Sequence, residues 1–199
     1  MAKYLWSFMT PWMRADVASV SGASKIEGFQ HSPYIGLHIR RGDKIKTPRA
    51  VFHGAEYLSA AVEFVQNDTN VLSVDSIKGI WVASNDPSAL EEVRAMAVTY
   101  FPNVQNDTIT MVSGGVPEGP AIHVVHTHTN KQTYFEAVLM FTDLQQLAAA
   151  DVFVGTYSSN IGTLVALLRE SVTHKTKQSA ISIDEESLTP GRRKRNRRL

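Results

Sequence analysis

The stretch Tyr34-Ile35-Gly36-Leu37-His38-Ile39-Arg40-Arg41-Gly42-Asp43-Lys44 decides how the rest of the chain is read. A short apolar run stops abruptly in charge. Such a run fits a strand buried on both faces, as strands are in parallel sheets covered by helices. The pattern returns at Gly79-Ile80-Trp81-Val82-Ala83-Ser84 and at Asp151-Val152-Phe153-Val154-Gly155. A further strand is predicted over residues 108–112.

Helical patterns separate these runs. Leu58, Ala61, Val62 and Val65 form one face of a helix over residues 56–66. Pro87 sits at the start of a second helix, with Asp86 as its N-cap and Glu91-Glu92 in the early turns. That helix runs to about Tyr100 and stops before Pro102. A strongly amphipathic helix is expected over residues 133–149 and a fourth over residues 160–170. Residues 114–130, rich in Gly, Pro, His and Thr, read as a long loop. Residues 1–13 read as the end of a helix that packs on something, and residues 173–199 as a disordered tail. Alternating strands and helices predict an α/β fold, a parallel sheet with helices on both faces. The expected division is a helical segment over residues 1–33, a sheet domain over 34–171 and a basic tail over 172–199.

With 199 residues the chain suffices for one domain and is marginal for two. The 43% hydrophobic and 20% charged content is that of an ordinary globular protein. The net charge of +1 hides an asymmetry. Arg192, Arg193, Lys194, Arg195, Arg197 and Arg198 carry no acid among them, which leaves 14 basic against 19 acidic residues elsewhere, a net of −5. A mildly acidic body gives no general attraction to nucleic acid. The tail itself is read as solvated, with a nuclear signal or nucleic-acid patch as the alternative. Cysteine is absent, which excludes a disulfide framework and thiolate metal sites. No apolar run approaches the ~20 residues a membrane span needs.

Ligands of open α/β sheets bind outside the carboxyl ends of the strands. Three polar clusters fall there: HIRRGDK after the first strand, SNDP after the second and GTYSSN after the fourth. Their convergence points to one site. Arginine forks match phosphate oxygens in a two-pronged way, and fixed cations would stabilise a departing diphosphate. The hydroxyls and N–H groups of Thr156-Tyr157-Ser158-Ser159-Asn160, ahead of a helix, form a natural anion site. Each cluster also has a plainer reading. RRGDK can be a solvated charge cluster, Asp86 a helix cap, and Ser158 or Ser159 a cap as well. Asp143, inside a helix, is expected to face solvent.

His123, His126 and His128 lie close together but read as loop histidines rather than metal ligands. The chain contains no GxxxxGK[ST], no GxGxxG and no DxD, so a P-loop, a dinucleotide fold and a metal-bridged diphosphate all lack support. Asn67-Asp68-Thr69 and Asn106-Asp107-Thr108 match the N-glycosylation acceptor, a pattern frequent by chance.

In order and spacing, HIRRGDK, Phe52-His53, SNDP, Asp143 eight residues before Asp151, and DVFVGTYSSN resemble the α-1,6-fucosyltransferases. These enzymes add core fucose to N-glycans. Lys3-Tyr4-Leu5 and Pro11-Trp12 resemble the family's helix before the first strand, so the likeness spans roughly residues 4–170. The resemblance implies a Rossmann-like, nucleotide-sugar-binding half of a GT-B-like architecture. It implies GDP-β-L-fucose as donor, the 6-hydroxyl of the innermost GlcNAc of an N-glycan as acceptor, inversion at the sugar, no metal or other cofactor, and a Golgi setting. By position, Arg40 and Arg41 would hold the diphosphate with His38 nearby, and Lys44 would lie near the reacting centre. Asp86 and Asp143 would contact the nucleotide or orient the arginines. Tyr157, Ser158, Ser159 and Asn160 would close the phosphate side.

The likeness has departures. The family places a glutamate base in a T-E-A-x-F-H setting, where this chain has Thr47-Pro48-Arg49-Ala50-Val51-Phe52-His53. Asn85 replaces a frequent aspartate. The family's preceding α/β half, membrane anchor, stem and SH3-like module have no counterpart in these residues. Two outcomes are therefore expected, a fucosyltransferase domain or a GDP-sugar-binding fragment that does not turn over.

Overall fold

A computed structural model of the chain describes residues 11–23, 32–41, 52–67, 72–111, 130–172 and 179–184. A helix, α1 (Pro11–Ala23), precedes the first strand, β1 (Tyr34–Ile39). Then follow α2 (Gly54–Asn67), β2 (Gly79–Ser84), α3 (Ser88–Tyr100) and β3 (Ile109–Met111). The rest is α4 (Asn130–Ala149), β4 (Val152–Gly155), α5 (Asn160–Val172) and β5 (Ala180–Ser182). All neighbouring strands are parallel, in the order β3-β2-β1-β4-β5. This is the predicted α/β fold, Rossmann-like, with helices on both faces.

Alternation along each strand sorts its side chains between two cores. Ile35, Leu37 and Ile39 of β1, with Ile80 and Val82 of β2 and Val152 and Val154 of β4, pack against α2 and α3 through Tyr57, Leu58, Ala61, Val93 and Ala97. Tyr34, Trp81, Ala83 and Phe153 face the other way, onto Leu144, Leu147 and Ala148 of α4 and Val165 and Leu168 of α5. Gly36 lies on this second face. A Cβ there would stand 3.0 Å from the Ala150 Cβ and 3.1 Å from Leu147 Cδ2, so glycine lets the end of α4 settle on the sheet without pushing these neighbours back by a few tenths of an ångström. Outside this layer, α1 packs on α4 through Val17 and Val138.

Bounds of β1 and β2 agree with the sequence reading, and the predicted helices are each present with ends shifted by a few residues. Asp86 acts at the start of α3 as expected. Its Oδ1 accepts the Ser88 N–H at 2.9 Å, and Pro87 already has helical angles, φ −58 and ψ −29.

The sheet has one strand more than the sequence reading predicted. Residues 172–199 were expected to be a disordered tail, yet Ala180–Ser182 pairs in parallel with β4, Phe153 opposite Ala180 and Gly155 opposite Ser182. Without β5, the outer edge of β4 would present unpaired N–H and C=O groups. Three residues in a polar stretch are too few to announce a strand. Ile181 and Ile183, which join the edge of the first core, are its only apolar signal. Most of the Gly114–Asn130 loop and the basic residues 192–198 lie outside the described residues.

Candidate functional site

The strand order reverses between β1 and β4: from β1 the chain moves outward through β2 to β3, then returns to place β4 on the other side of β1. At such a switch point the connections leave in opposite directions and open a crevice at the carboxyl ends of the strands. Parallel pairing puts Arg40-Arg41, Ser84-Asn85-Asp86 and the turn from Thr156 to Asn160 on that one edge. The three polar clusters picked from sequence therefore share one edge of one sheet. Lys44, Gly42, Asp43 and Pro48 lie outside the described residues, as do His123, His126 and His128.

The two arginines separate. Arg41 is 5% exposed and turns toward α3. Its guanidinium pairs with Asp86 at 3.3 Å and with Glu92, and bonds Ser88 Oγ at 3.0 Å. Glu92 also accepts the Gly54 N–H at 3.0 Å, so one ion cluster ties the exit of β1 to the starts of α2 and α3. The bond from Arg41 holds the Glu92 carboxyl below its usual range. Burial would push Asp86 up, but its bonds from Ser88 and Arg41 outweigh that and hold it low. Asp86 thus contacts Arg41 as well as the start of α3. Arg40 stands half-buried at the strand exit itself.

His38 sits on the opposite face of β1, buried, and its Nδ1 has no partner among the described residues. Burial, reinforced by the Arg40 charge, lowers it from 6.5 to about 4. The folded value lies below the unfolded one, so the protein is stabilised by the neutral imidazole above pH 6.5 and loses that stability as the pH falls toward 4. The gap corresponds to ~3 kcal/mol. Urea denaturation between pH 4 and 7 is expected to show this loss, and His38→Gln to flatten it.

Asp143, expected to face solvent, is 6% exposed and accepts the Trp81 indole N–H at 3.0 Å. Leu139 and Leu147, four residues to either side, are buried on the same stripe of α4. A carboxylate on that stripe is carried inward by its neighbours and needs a donor there.

The turn after β4 is built on a close approach. A Cβ at Gly162 would stand 2.1 Å from the Thr156 carbonyl oxygen, so α5 starts against the backbone of the turn and only glycine permits it. Ser159 is buried, its N–H bonds Thr156 O at 3.2 Å, and its carbonyl accepts the first α5 bond, from Thr163. The N–H groups of Asn160, Ile161 and Gly162 belong to the first turn of α5, where the helix itself supplies them no partner. Thr156 Oγ1 is buried with no hydrogen-bond partner among the described residues. Tyr157 and Ser158 differ: their N–H groups point to Asp184, at 2.8 and 3.2 Å.

Sequence reasoning missed two members of this neighbourhood. Asp184 was placed in the tail. Tyr57 of α2 is fully buried, and burial raises its phenol above the usual range, with the charges of Asp184 and Glu56 adding to the rise and Arg41 opposing it. The stretch Phe52-His53-Gly54-Ala55-Glu56-Tyr57 leads from the quoted motif into the helix, which was the one available hint to Tyr57. Among the described residues no group of three or more His, Asp or Glu side chains is arranged to hold a metal ion. No described helix is long and apolar enough to cross a membrane.

Compared with known protein families, residues 1–185 match the family described as "Alpha-(1,6)-fucosyltransferase N- and catalytic domains".

Proposed function

Because the chain belongs to the alpha-(1,6)-fucosyltransferase family of glycosyltransferases, we propose that the crevice between β1 and β4 binds GDP-β-L-fucose and presents its sugar to the 6-hydroxyl of the core GlcNAc of an N-glycan. One observation carries this reading: the strand order brings the exit of β1, with Arg40, and the first turn of α5 to the same edge of the sheet. A cation and a helix N-terminus facing one crevice suit a diphosphate. His38, buried beside Arg40, and Asp143, held by Trp81, supply the polar groups for the nucleoside side. Arg41 and Asp86 hold the scaffold on which Arg40 stands.

In the transfer, the acceptor O6 forms a bond to the fucose C1 and the bond from C1 to the diphosphate oxygen breaks. GDP leaves with the electron pair and the hydroxyl proton passes to a base. Arg40 and the α5 amides would stabilise the charge gathering on the departing diphosphate, with no metal required. Lys44, by its place in the quoted motif, would stand near the reacting centre. The proposed setting is the Golgi lumen or membrane, in line with the secretory-pathway location the family suggests.

Binding without turnover is the second reading, favoured by Pro48 in place of the family's glutamate. Calorimetric titration of the chain with GDP and GDP-fucose, in the presence of a chelator, tests the common core of both. Micromolar binding of each is expected, and no heat with either nucleotide would remove both readings. Incubating the chain with GDP-fucose and an N-glycan acceptor separates them. The expected result is weak or no transfer, and rapid turnover would show that another residue serves as base.

A further inference from the structure

The carboxylate of Asp184 is bound by four donors across the turn that follows β4. Its Oδ1 accepts the Tyr157 N–H at 2.8 Å and the Ser182 hydroxyl at 2.7 Å. Its Oδ2 accepts the Ser158 N–H at 3.2 Å and the Ser158 hydroxyl. Backbone bonding fastens the same segment, since the Ile183 N–H reaches Gly155 O at 3.0 Å. Burial opposes ionisation of Asp184, but these donors outweigh it and keep the group below its ordinary range.

The turn therefore has two sets of N–H groups with different fates. Those of Tyr157 and Ser158 are spent on Asp184, while those of Asn160, Ile161 and Gly162 open α5, where the helix itself supplies no partner. An anchored carboxylate on the first set fixes the direction of the second. We propose that Asp184 is a positioning residue of the donor site: from just past β5 it locks the turn after β4, so that the first N–H groups of α5 stand aligned for the diphosphate. This rests on the donor-binding reading above. The location of Asp184 agrees with it, because its charge and that of Arg41 are both felt at the Tyr57 phenol, which lies beside the Arg40 backbone. The strand that leads into it completes the sheet edge beside β4.

A competing geometry would give the opposite sign. If Asp184 instead filled the place of the phosphate, removing its charge would free the Tyr157 and Ser158 amides and tighten nucleotide binding.

The test uses the full chain with Asp184→Asn, Asp184→Ala and Asp184→Glu, titrated by calorimetry with GDP and with guanosine, alongside thermal melting. Loss of a charge-assisted clamp is expected to weaken GDP by about tenfold in Asp184→Ala. Asp184→Asn, which keeps one acceptor, should recover part of it. Guanosine, which has no phosphate, should bind all variants as it binds the wild type, which a general loss of folding could not produce. Tighter GDP binding in the variants, equal GDP binding, or a parallel loss for guanosine would each overturn the proposal. Should Asp184→Ala fail to fold, the isosteric Asp184→Asn decides it by the same comparison. Wild-type chain that binds no GDP would instead strike the donor-binding reading itself, so the two failures are distinguishable.

Discussion

Replacing Arg40 by alanine is expected to weaken GDP binding about 100-fold while the fold stays intact, because a cation on a desolvated phosphate contributes some ~2–5 kcal/mol. The two neighbouring arginines explain why the fold should survive. Arg41 is the internal one, wired to Asp86, Ser88 and Glu92 at the starts of two helices. Arg40 lies one residue past the end of β1 and half-buried, on the edge where the strands end. Removing Arg41 strands two carboxylates, a structural injury. Removing Arg40 takes away the cation proposed for the diphosphate. Calorimetry with GDP, together with an unchanged melting curve, is the required pair of results. An Arg40→Ala variant with wild-type GDP affinity would refute the assignment of the diphosphate to this strand end.

The second large effect concerns stability and a residue far from the crevice. Arg169 of α5 is fully buried, and its guanidinium donates to the carbonyls of Leu147, Ala148, Ala150, Asp151 and Ser179 and to the Ser179 hydroxyl. Leu147 and Ala148 are among the last carbonyls of α4, which lack partners within their own helix. A cation there also meets the negative end of the helix dipole. The same fork reaches Ser179, one residue before β5, so it joins the end of α4, the start of β4 and the approach to the last strand. Burial lowers the group to about 10, and it remains charged at neutral pH. Arg169→Leu would fill space but leave several buried carbonyls unpaired, at a cost of ~3–5 kcal/mol. For a chain of this size that is a fall in melting temperature of about 10 °C, readable by calorimetric or circular dichroism melting. A fall below about 2 °C would show that water or neighbouring groups replace the guanidinium.

These two arginines show where sequence reading succeeds and where it stops. Arg40 announces itself as the charge that ends an apolar strand in a known order of motifs. Arg169 reads as a routine basic residue near the end of an amphipathic helix, and nothing beside it in the chain says that five carbonyls await it.

Whatever depends on near neighbours was legible in the sequence alone. The bounds of β1 and β2, the cap at Asp86, the succession of strands and helices, the parallel α/β fold and the gathering of three polar clusters at strand ends all follow from apolar periodicity and local backbone chemistry, which act over a few residues. Tertiary structure decided the rest, because those choices join positions far apart. Asp143 bonds Trp81 across 62 residues, Arg41 takes Asp86 across 45, and Asp184 reaches Tyr157 across 27. A buried polar group must find a donor or acceptor, and an open strand edge must find a partner, but which one is set by what the folded sheet brings within 3 Å. That is why β5 and Asp184 emerge from a stretch read as tail, and why two adjacent arginines part, Arg41 into the ion cluster at the start of α3 and Arg40 half-buried at the strand exit.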